Sequence, residues 1–161
     1  MKYLRILFNI KKNLKSKIIL NVEFKAGSQM YPGIEEKVIT ICYEKLAFDE
    51  VIFSSFDHHC LVNIKAIDER AQIGVLKTAS LVEPWHYMKT IRGDYYHPHY
   101  LTLSGKNLKE MMYNELLINA YTVNDLSLAK QLMLAGIHMI ITDEVETMID
   151  LRKEVHNEAR C

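Results

Sequence analysis

Glu23 and Lys25 lie two residues apart in a segment that is otherwise mostly apolar, KIILNVEFKAGSQMYPGIEE (17–36). A period of two predicts a strand over 18–24. One face of this strand carries Ile18, Leu20, Val22 and Phe24, and the other carries Ile19, Asn21, Glu23 and Lys25. A carboxylate and an ammonium group on one face indicate either a binding site or an incidental ion pair on a solvated edge strand.

The cysteines and histidines show no spacing typical of a metal site or a disulfide framework. The three cysteines, Cys42, Cys60 and Cys161, are odd in number and form no CxxC pair. The run HHC (58–60) suits no common metal site and is predicted to lie on the surface at the start of a helix. These features favour a reducing compartment, so we expect a cytoplasmic protein.

Composition is that of an ordinary globular chain, with 161 residues, 49% hydrophobic and 25% charged. A chain of this length can bury one sizeable core, which predicts a single domain over 1–161. Twenty basic residues balance twenty acidic ones. The balance argues against nucleic acid or an anionic membrane as a partner and favours a small-molecule ligand.

The apolar stretch within residues 1–17 is too short to span a bilayer and is interrupted by Arg5, so this segment is predicted to be a helix.

Strand signals alternate with helix signals along the whole chain. Further strands are predicted over 50–56, 72–78, 116–123 and 138–143, a weak strand or loop over 95–100, and helices over 34–46, 60–68, 106–116, 124–135 and 144–160, with 81–92 helical or irregular. This order predicts an α/β fold with a parallel sheet built from right-handed βαβ units. Glu23 and Lys25 would then lie at the mouth of a barrel, in the crevice at the carboxyl ends of an open sheet, or on an exposed edge.

Six segments in order resemble the later part of bacterial glycerophosphodiester phosphodiesterases. They are LNVEFKAGSQMYPGIEEKV, EVIFSSFDHHCLVNIK, IGVLKTASLVEPWHYM, YYHP, AYTVND and GIHMIITDEVETMIDL. The resemblance covers nearly the whole chain. It implies a TIM-type (β/α)8 barrel and the metal-dependent hydrolysis of glycerophosphodiesters to glycerol 3-phosphate and an alcohol, an activity of lipid metabolism.

The resemblance also implies roles for particular residues. Glu23 would be a carboxylate ligand to Mg²⁺ or Ca²⁺, and Lys25 would contact a phosphoryl oxygen. His97, in a His-Pro step, and Tyr121, where the family usually has Trp, would contact substrate, and Trp85 would form an apolar wall. Asn124 and Asp125 are better explained as caps of the following helix, and Gly136 is predicted to end that helix.

The chain departs from the family in its catalytic motifs. The family's general acid and base come from HRG and HD motifs, and two further metal ligands come from a Glu-x-Asp pair. None occurs here, and the only Arg-Gly is Arg92-Gly93, after Ile91. Because a full barrel takes about 250 residues, we expect an incomplete barrel of about five to six βα units that begins before the family's fourth strand. Each missing proton-transfer group would cost about 10² to 10⁴ in rate, so little turnover and weak or absent metal binding are expected.

Three interpretations therefore stay open. The chain is a glycerophosphodiester phosphodiesterase by fold and ancestry, or a non-enzymatic remnant of one, or a binding half-barrel that complements a separate front half. The third would also explain self-association, because an incomplete barrel exposes two strand edges.

Overall fold

Strands and helices alternate along the chain, as the sequence predicts. The computed structural model describes residues 19–27 and 29–158, so the helix predicted over 1–17, Ile18 and Cys161 lie outside the described residues. The elements are β1 (Leu20–Phe24), α1 (Ile34–Tyr43), β2 (Val51–Ser55), α2 (His58–Ile67), β3 (Gln72–Lys77), α3 (Pro84–Thr90), β4 (Tyr95–Pro98), α4 (Gly105–Tyr113), β5 (Leu117–Ala120), α5 (Leu126–Leu134), β6 (Met139–Ile140) and α6 (Val145–Glu158). In the described part of the chain, no helix is both long and apolar enough to cross a membrane.

The six strands are ordered in the sheet as they are in the sequence, from β1 to β6. The pairs β1–β2, β4–β5 and β5–β6 are parallel. Parallel neighbours need a crossover connection, and a helix supplies it in each of these three cases. A strand order without reversal is that of a (β/α) barrel, whereas a doubly wound sheet reverses its order at a switch point. The predicted α/β class and the count of five to six βα units are confirmed.

The chain divides into two compact units, with the boundary between Gly74 and Val75 inside β3. In the first unit, the ring of Phe53 is buried with its centroid 6.1 Å from that of Phe24 and 6.2 Å from that of Tyr43, edge-on to both. Such aromatic pairs add to the free energy gained by burying the rings. The single domain predicted over 1–161 stays a prediction.

The second unit buries Tyr96 of β4 and Ile118 of β5, and α4 adds Met111 to the buried side chains. The helices α5 and α6 are joined at the surface by an ion pair between Lys130 Nζ and Glu158 Oε1, 2.8 Å apart. This pair is solvent-exposed, so it contributes little to stability compared with the buried side chains.

Helix boundaries follow the capping residues. Asp125 Oδ1 accepts a hydrogen bond from Leu128 N at 2.7 Å, which confirms the predicted cap of α5. Gly136, with φ +87°, follows the end of that helix as predicted. The helix α2 begins at His58, where the run HHC is predicted to start a helix, because the Asp57 side chain accepts hydrogen bonds from His59 N and Cys60 N. Cys60, predicted to lie on the surface, is instead buried.

The last two strands are shorter than predicted. β5 was expected over 116–123 and β6 over 138–143, but the ladder covers only Leu117–Ala120 and Met139–Ile140. Beyond them one backbone hydrogen bond still joins the two segments, from Val123 N to Ile141 O at 2.9 Å. The Asn124 side chain then takes over: its Oδ1 accepts from Thr142 Oγ1 and from Asp143 N, both at 3.0 Å.

Replacing Phe53 by Ala is expected to lower the free energy of unfolding by about 3–5 kcal/mol, because it leaves a cavity between two aromatic rings. Urea unfolding followed by circular dichroism measures this change. Tyr113→Ala, which removes an exposed ring, serves as the control and is expected to stay within about 0.5 kcal/mol of the native chain. Equal losses in both variants would contradict the packing described for Phe53.

Candidate functional site

Glu23 and Lys25 lie at the carboxyl end of β1 and immediately after it. Glu23 Oε1 is 2.8 Å from Lys25 Nζ, and the side chains are 29% and 83% exposed respectively. An ion pair this accessible to water is worth about 1 kcal/mol or less. The pair therefore does little to hold either side chain in place, and both can turn toward a ligand.

The register of β1 on β2 defines the face on which Glu23 lies. Glu23 is opposite Ser54 and Phe24 is opposite Ser55. Directly opposed residues on parallel strands point to the same face, so Glu23 shares its face with Ser54, while Phe24 points to the other face. Ser54 is fully buried near the carboxyl end of β2, and among the described residues its Oγ has no hydrogen-bond partner.

Glu23 lies both on an edge strand and at the carboxyl end of that strand, so the structure combines an edge location with a strand-end location among the three that the sequence allows. β1 is the first strand in the sheet order, which makes it an edge among the described strands. Glu23 also lies level with the carboxyl end of its neighbour, where parallel α/β proteins bind ligands. Its carboxylate is partly shielded by the sheet, whereas Lys25 reaches into solvent.

His97 of β4 forms a buried pair with Asn119 of β5. The residues are 1% and 2% exposed, and His97 Nε2 lies 3.0 Å from Asn119 Nδ2. Burial lowers the pKa of His97 to about 4, so the ring is neutral at pH 7. Nε2 then accepts the amide hydrogen and the ring proton resides on Nδ1, for which the described residues supply no partner.

Sequence reasoning selected His97 but missed Asn119. The signal for Asn119 was a single amide in the apolar run LLINAY. A buried strand tolerates such a polar side chain only if a neighbouring group forms a hydrogen bond with it. The residue was not selected because its partner lies on another strand, and sequence spacing alone does not give the register between strands.

Tyr121 belongs to a small aromatic cluster just beyond the ends of β4 and β5. The His99 ring stacks on Tyr100 with centroids 4.8 Å apart and meets the Tyr121 ring edge-on at 5.5 Å. All three residues are half-buried. Such a cluster offers flat apolar surfaces next to polar ring atoms. Sequence reasoning did not select His99, yet the structure places it beside the predicted Tyr121.

Trp85 lies apart from the other predicted residues of the second unit. It is half-buried in the first turn of α3, and it lines a surface cleft of about 790 Å³ between this helix and α4. Polar side chains from both helices share the cleft with it, among them Glu83, Lys106 and Asn107. His97 and Tyr121 are not among the described residues that line this cleft.

The sequence profile of the glycerophosphoryl diester phosphodiesterase family matches residues 3–147. The chain belongs to this family. A glycerophosphodiester phosphodiesterase of Caldanaerobacter subterraneus is 35% identical over 133 residues, which are 83% of this chain and 55% of the relative. One from Bacillus altitudinis is 29% identical, and the match spans 88% of this chain and 58% of that protein. The chain thus spans little more than half the length of these members of the family.

Solved structures support the barrel fold. A glycerophosphodiester phosphodiesterase from Galdieria sulphuraria superposes with a TM-score of 0.82 at 14% identity, over 93% of this chain and 63% of that one. A phosphodiesterase of Oleispira antarctica, solved with its product sn-glycerol 3-phosphate, gives 0.74 at 21% identity, over 83% and 56%. The predicted incomplete TIM-type barrel is confirmed as the fold class.

The described residues do not by themselves fit a divalent cation. Within residues 19–27 and 29–158, no three His, Cys, Asp or Glu side chains come together as a metal-binding group. Glu23 offers one carboxylate, and its Oε1 already faces Lys25 Nζ. Mg²⁺ and Ca²⁺ take six or more oxygen ligands, of which one or two carboxylates are the usual minimum from protein.

Stability is expected to fall on acidification through His97. The unfolded imidazole takes up a proton near pH 6.5 and the buried one only near pH 4, so the unfolded state binds more protons between these values. The free energy of unfolding that depends on keeping His97 neutral is fully present above pH 6.5 and declines as the pH falls toward 4. The total loss amounts to about 3 kcal/mol at most. Urea unfolding at a series of pH values measures the slope.

His97→Gln keeps a polar side chain beside Asn119 and removes the titration, so its unfolding free energy is expected to vary less between pH 6.5 and 4. His86→Gln, at an exposed histidine in the same unit, is the matched control and should retain the native slope. An unchanged slope in His97→Gln would contradict the assignment of this pH dependence to His97.

Proposed function

We propose that this chain provides the phosphate-binding strand of a glycerophosphodiester phosphodiesterase, and that the chain alone does not hydrolyse glycerophosphodiesters. The observation that carries the proposal is the placement of Glu23 and Lys25 at the carboxyl end of β1, with Glu23 opposite the buried Ser54. Membership of the family supports the substrate class, and through it a role in lipid metabolism.

Lys25 is proposed to bind a phosphoryl oxygen of the diester. Its ammonium group is largely in solvent and, among the described residues, pairs with the exposed Glu23 carboxylate. An anionic ligand can therefore take the place of that carboxylate at little cost. Lysine acts on phosphate as a point charge and needs no fixed hydrogen-bond geometry.

Glu23 is proposed as one carboxylate ligand of Mg²⁺ or Ca²⁺. A single carboxylate holds such ions weakly in water. Binding by this chain is therefore expected only at high metal concentration, and no catalytic step is assigned to the ion.

Among the residues that the structure describes, none is proposed as the proton donor or acceptor of the reaction. An efficient general acid or base has a pKa near the working pH and reaches the reacting oxygen. His97 meets neither condition, since it is 1% exposed and burial lowers its pKa to about 4.

Contacts with substrate stay proposals for three further residues, His97, Tyr121 and Trp85. Of these, Tyr121 is proposed to contact the leaving alcohol with its ring, which lies in a half-buried aromatic cluster just beyond the ends of β4 and β5.

A second candidate is a binding or complementing module. β1 and β6 stand at the ends of the strand order, and strands at such positions present unpaired backbone groups that favour association. Self-association through these strands would appear in analytical ultracentrifugation as a concentration-dependent increase in mass. A monomer across the whole concentration range would count against this candidate.

Hydrolysis of glycerophosphocholine tests the first proposal. With Mg²⁺ or Ca²⁺ present, the chain is expected to release no glycerol 3-phosphate above a blank without protein, because the proposed site has no acid or base. The measurement is an enzyme-coupled assay for glycerol 3-phosphate. Release that disappears in Glu23→Ala would overturn the expectation of inactivity and establish catalysis by the chain itself.

Binding of glycerol 3-phosphate tests the role of Lys25. Lys25→Met is expected to weaken binding by about fivefold or more, since it removes a charge-assisted contact. Lys153→Met is the matched control, because Lys153 is also exposed and ion-paired, with Asp150 at 2.7 Å. Equal affinities for the two variants, measured by calorimetry or NMR titration, would exclude Lys25 as the phosphate ligand.

A further inference from the structure

The backbone on both sides of Lys25 is hydrogen-bonded to the last residue of β2 and to the segment that follows it. Before Lys25, the Ser55 hydroxyl donates a hydrogen bond to the carbonyl oxygen of Phe24 at 2.7 Å. After it, the backbone N–H of Gly27 donates to Asp57 Oδ2 at 3.3 Å. Ser55 and Asp57 thus hold the chain at two points that are three residues apart, with Lys25 between them.

The two anchors are themselves connected. The backbone N–H of Asp57 donates to Ser55 Oγ at 2.9 Å, so the serine hydroxyl both accepts from Asp57 and donates to Phe24. The other carboxylate oxygen, Asp57 Oδ1, accepts from His59 N at 3.1 Å and Cys60 N at 3.3 Å. A carboxylate at this position caps α2 and is favoured by the helix dipole, which fixes the oxygen that faces Gly27.

Gly27 comes so close to α2 that it leaves no room for a side chain. A Cβ atom at this position would lie 2.8 Å from Cys60 Cβ and 3.0 Å from both Asp57 Oδ2 and Glu35 Oε1. The close approach brings the Gly27 N–H within reach of Asp57. Glycine is therefore required here by contact, and the anchor after Lys25 depends on it.

We infer that Ser55 and Asp57 are positioning residues that fix Lys25 for phosphate binding through the backbone. The inference rests on the proposed role of Lys25. The side-chain pair of Glu23 and Lys25 is too exposed to set the position of Lys25, so the position of its Cα depends on the anchors at Phe24 and Gly27. Hydrogen bonds to a charged acceptor are stronger than neutral ones. Asp57 is therefore expected to contribute more than Ser55 to fixing the backbone around Lys25.

Asp57→Asn separates anchoring from helix capping. Asparagine caps helices about as well as aspartate, so α2 keeps its cap. Its second polar group is an amide NH₂, which cannot accept a hydrogen bond from Gly27. We expect Asp57→Asn to weaken binding of inorganic phosphate about three- to tenfold, measured from NMR shifts of the amides around Lys25 in the full chain. Hydrogen exchange at the Gly27 amide should become faster in the same variant.

A double-mutant cycle distinguishes positioning from a general structural effect. In the Lys25→Met background, Asp57→Asn is expected to leave phosphate affinity unchanged, because the group on which it acts is gone. Ser104→Ala removes the side-chain cap of α4 in the other unit and should leave phosphate affinity at the native value. Gly27→Ala, which displaces the second anchor by steric contact, should reproduce the loss.

The outcomes separate this inference from the proposed function. If Lys25→Met leaves phosphate affinity unchanged, or the native chain shows no phosphate-induced shifts, the proposed role of Lys25 is wrong and the inference fails with it. If Lys25→Met weakens binding but Asp57→Asn does not, the proposed function stands and positioning by Asp57 is overturned. Equal effects of Asp57→Asn in both backgrounds would show that Asp57 acts independently of Lys25. That result would also overturn the inference that Asp57 positions Lys25.

Discussion

The burial of Phe24 against Phe53 determines where the charged residues of β1 can lie. The two rings meet edge-on with centroids 6.1 Å apart, and both side chains are buried. Because side chains alternate along a strand, burying Phe24 on one face commits Glu23 to the other. A shift of one residue would expose Phe24 and bury a carboxylate, so the hydrophobic contact sets the register of the whole β1–β2 ladder.

Polar groups at the ends of the strands are held in two different ways. Around β1, one aspartate supplies both oxygens, one to a helix terminus and one to the backbone of Gly27. Between β4 and β5, a neutral histidine and an amide satisfy each other only in part, since Nδ1 of His97 and Oδ1 of Asn119 have no partner among the described residues. The first arrangement favours rigidity, whereas the second makes stability depend on the pH.

Membership of the family and the chemistry of the chain point in different directions. The match over residues 3–147 and the barrel-like strand order establish ancestry and fold class. Catalysis depends instead on a few groups with suitable pKa values and geometry, and a fold carries no guarantee of them. In the described residues, the Glu23–Lys25 pair is accessible to solvent, whereas His97 is too deeply buried to exchange protons with a substrate.

Local patterns in the sequence determined the alternation of strands and helices, the exposed face of β1, the cap at Asp125 and the helix stop at Gly136. These features depend on interactions among neighbouring residues, so spacing and residue type suffice to predict them. Only the tertiary structure decided that Asn119 meets His97, that Asp57 reaches Gly27 and that Glu35, in the first turn of α1, is 1% exposed. Each of these depends on the register or approach of segments distant in sequence, which is set by the packing of the core.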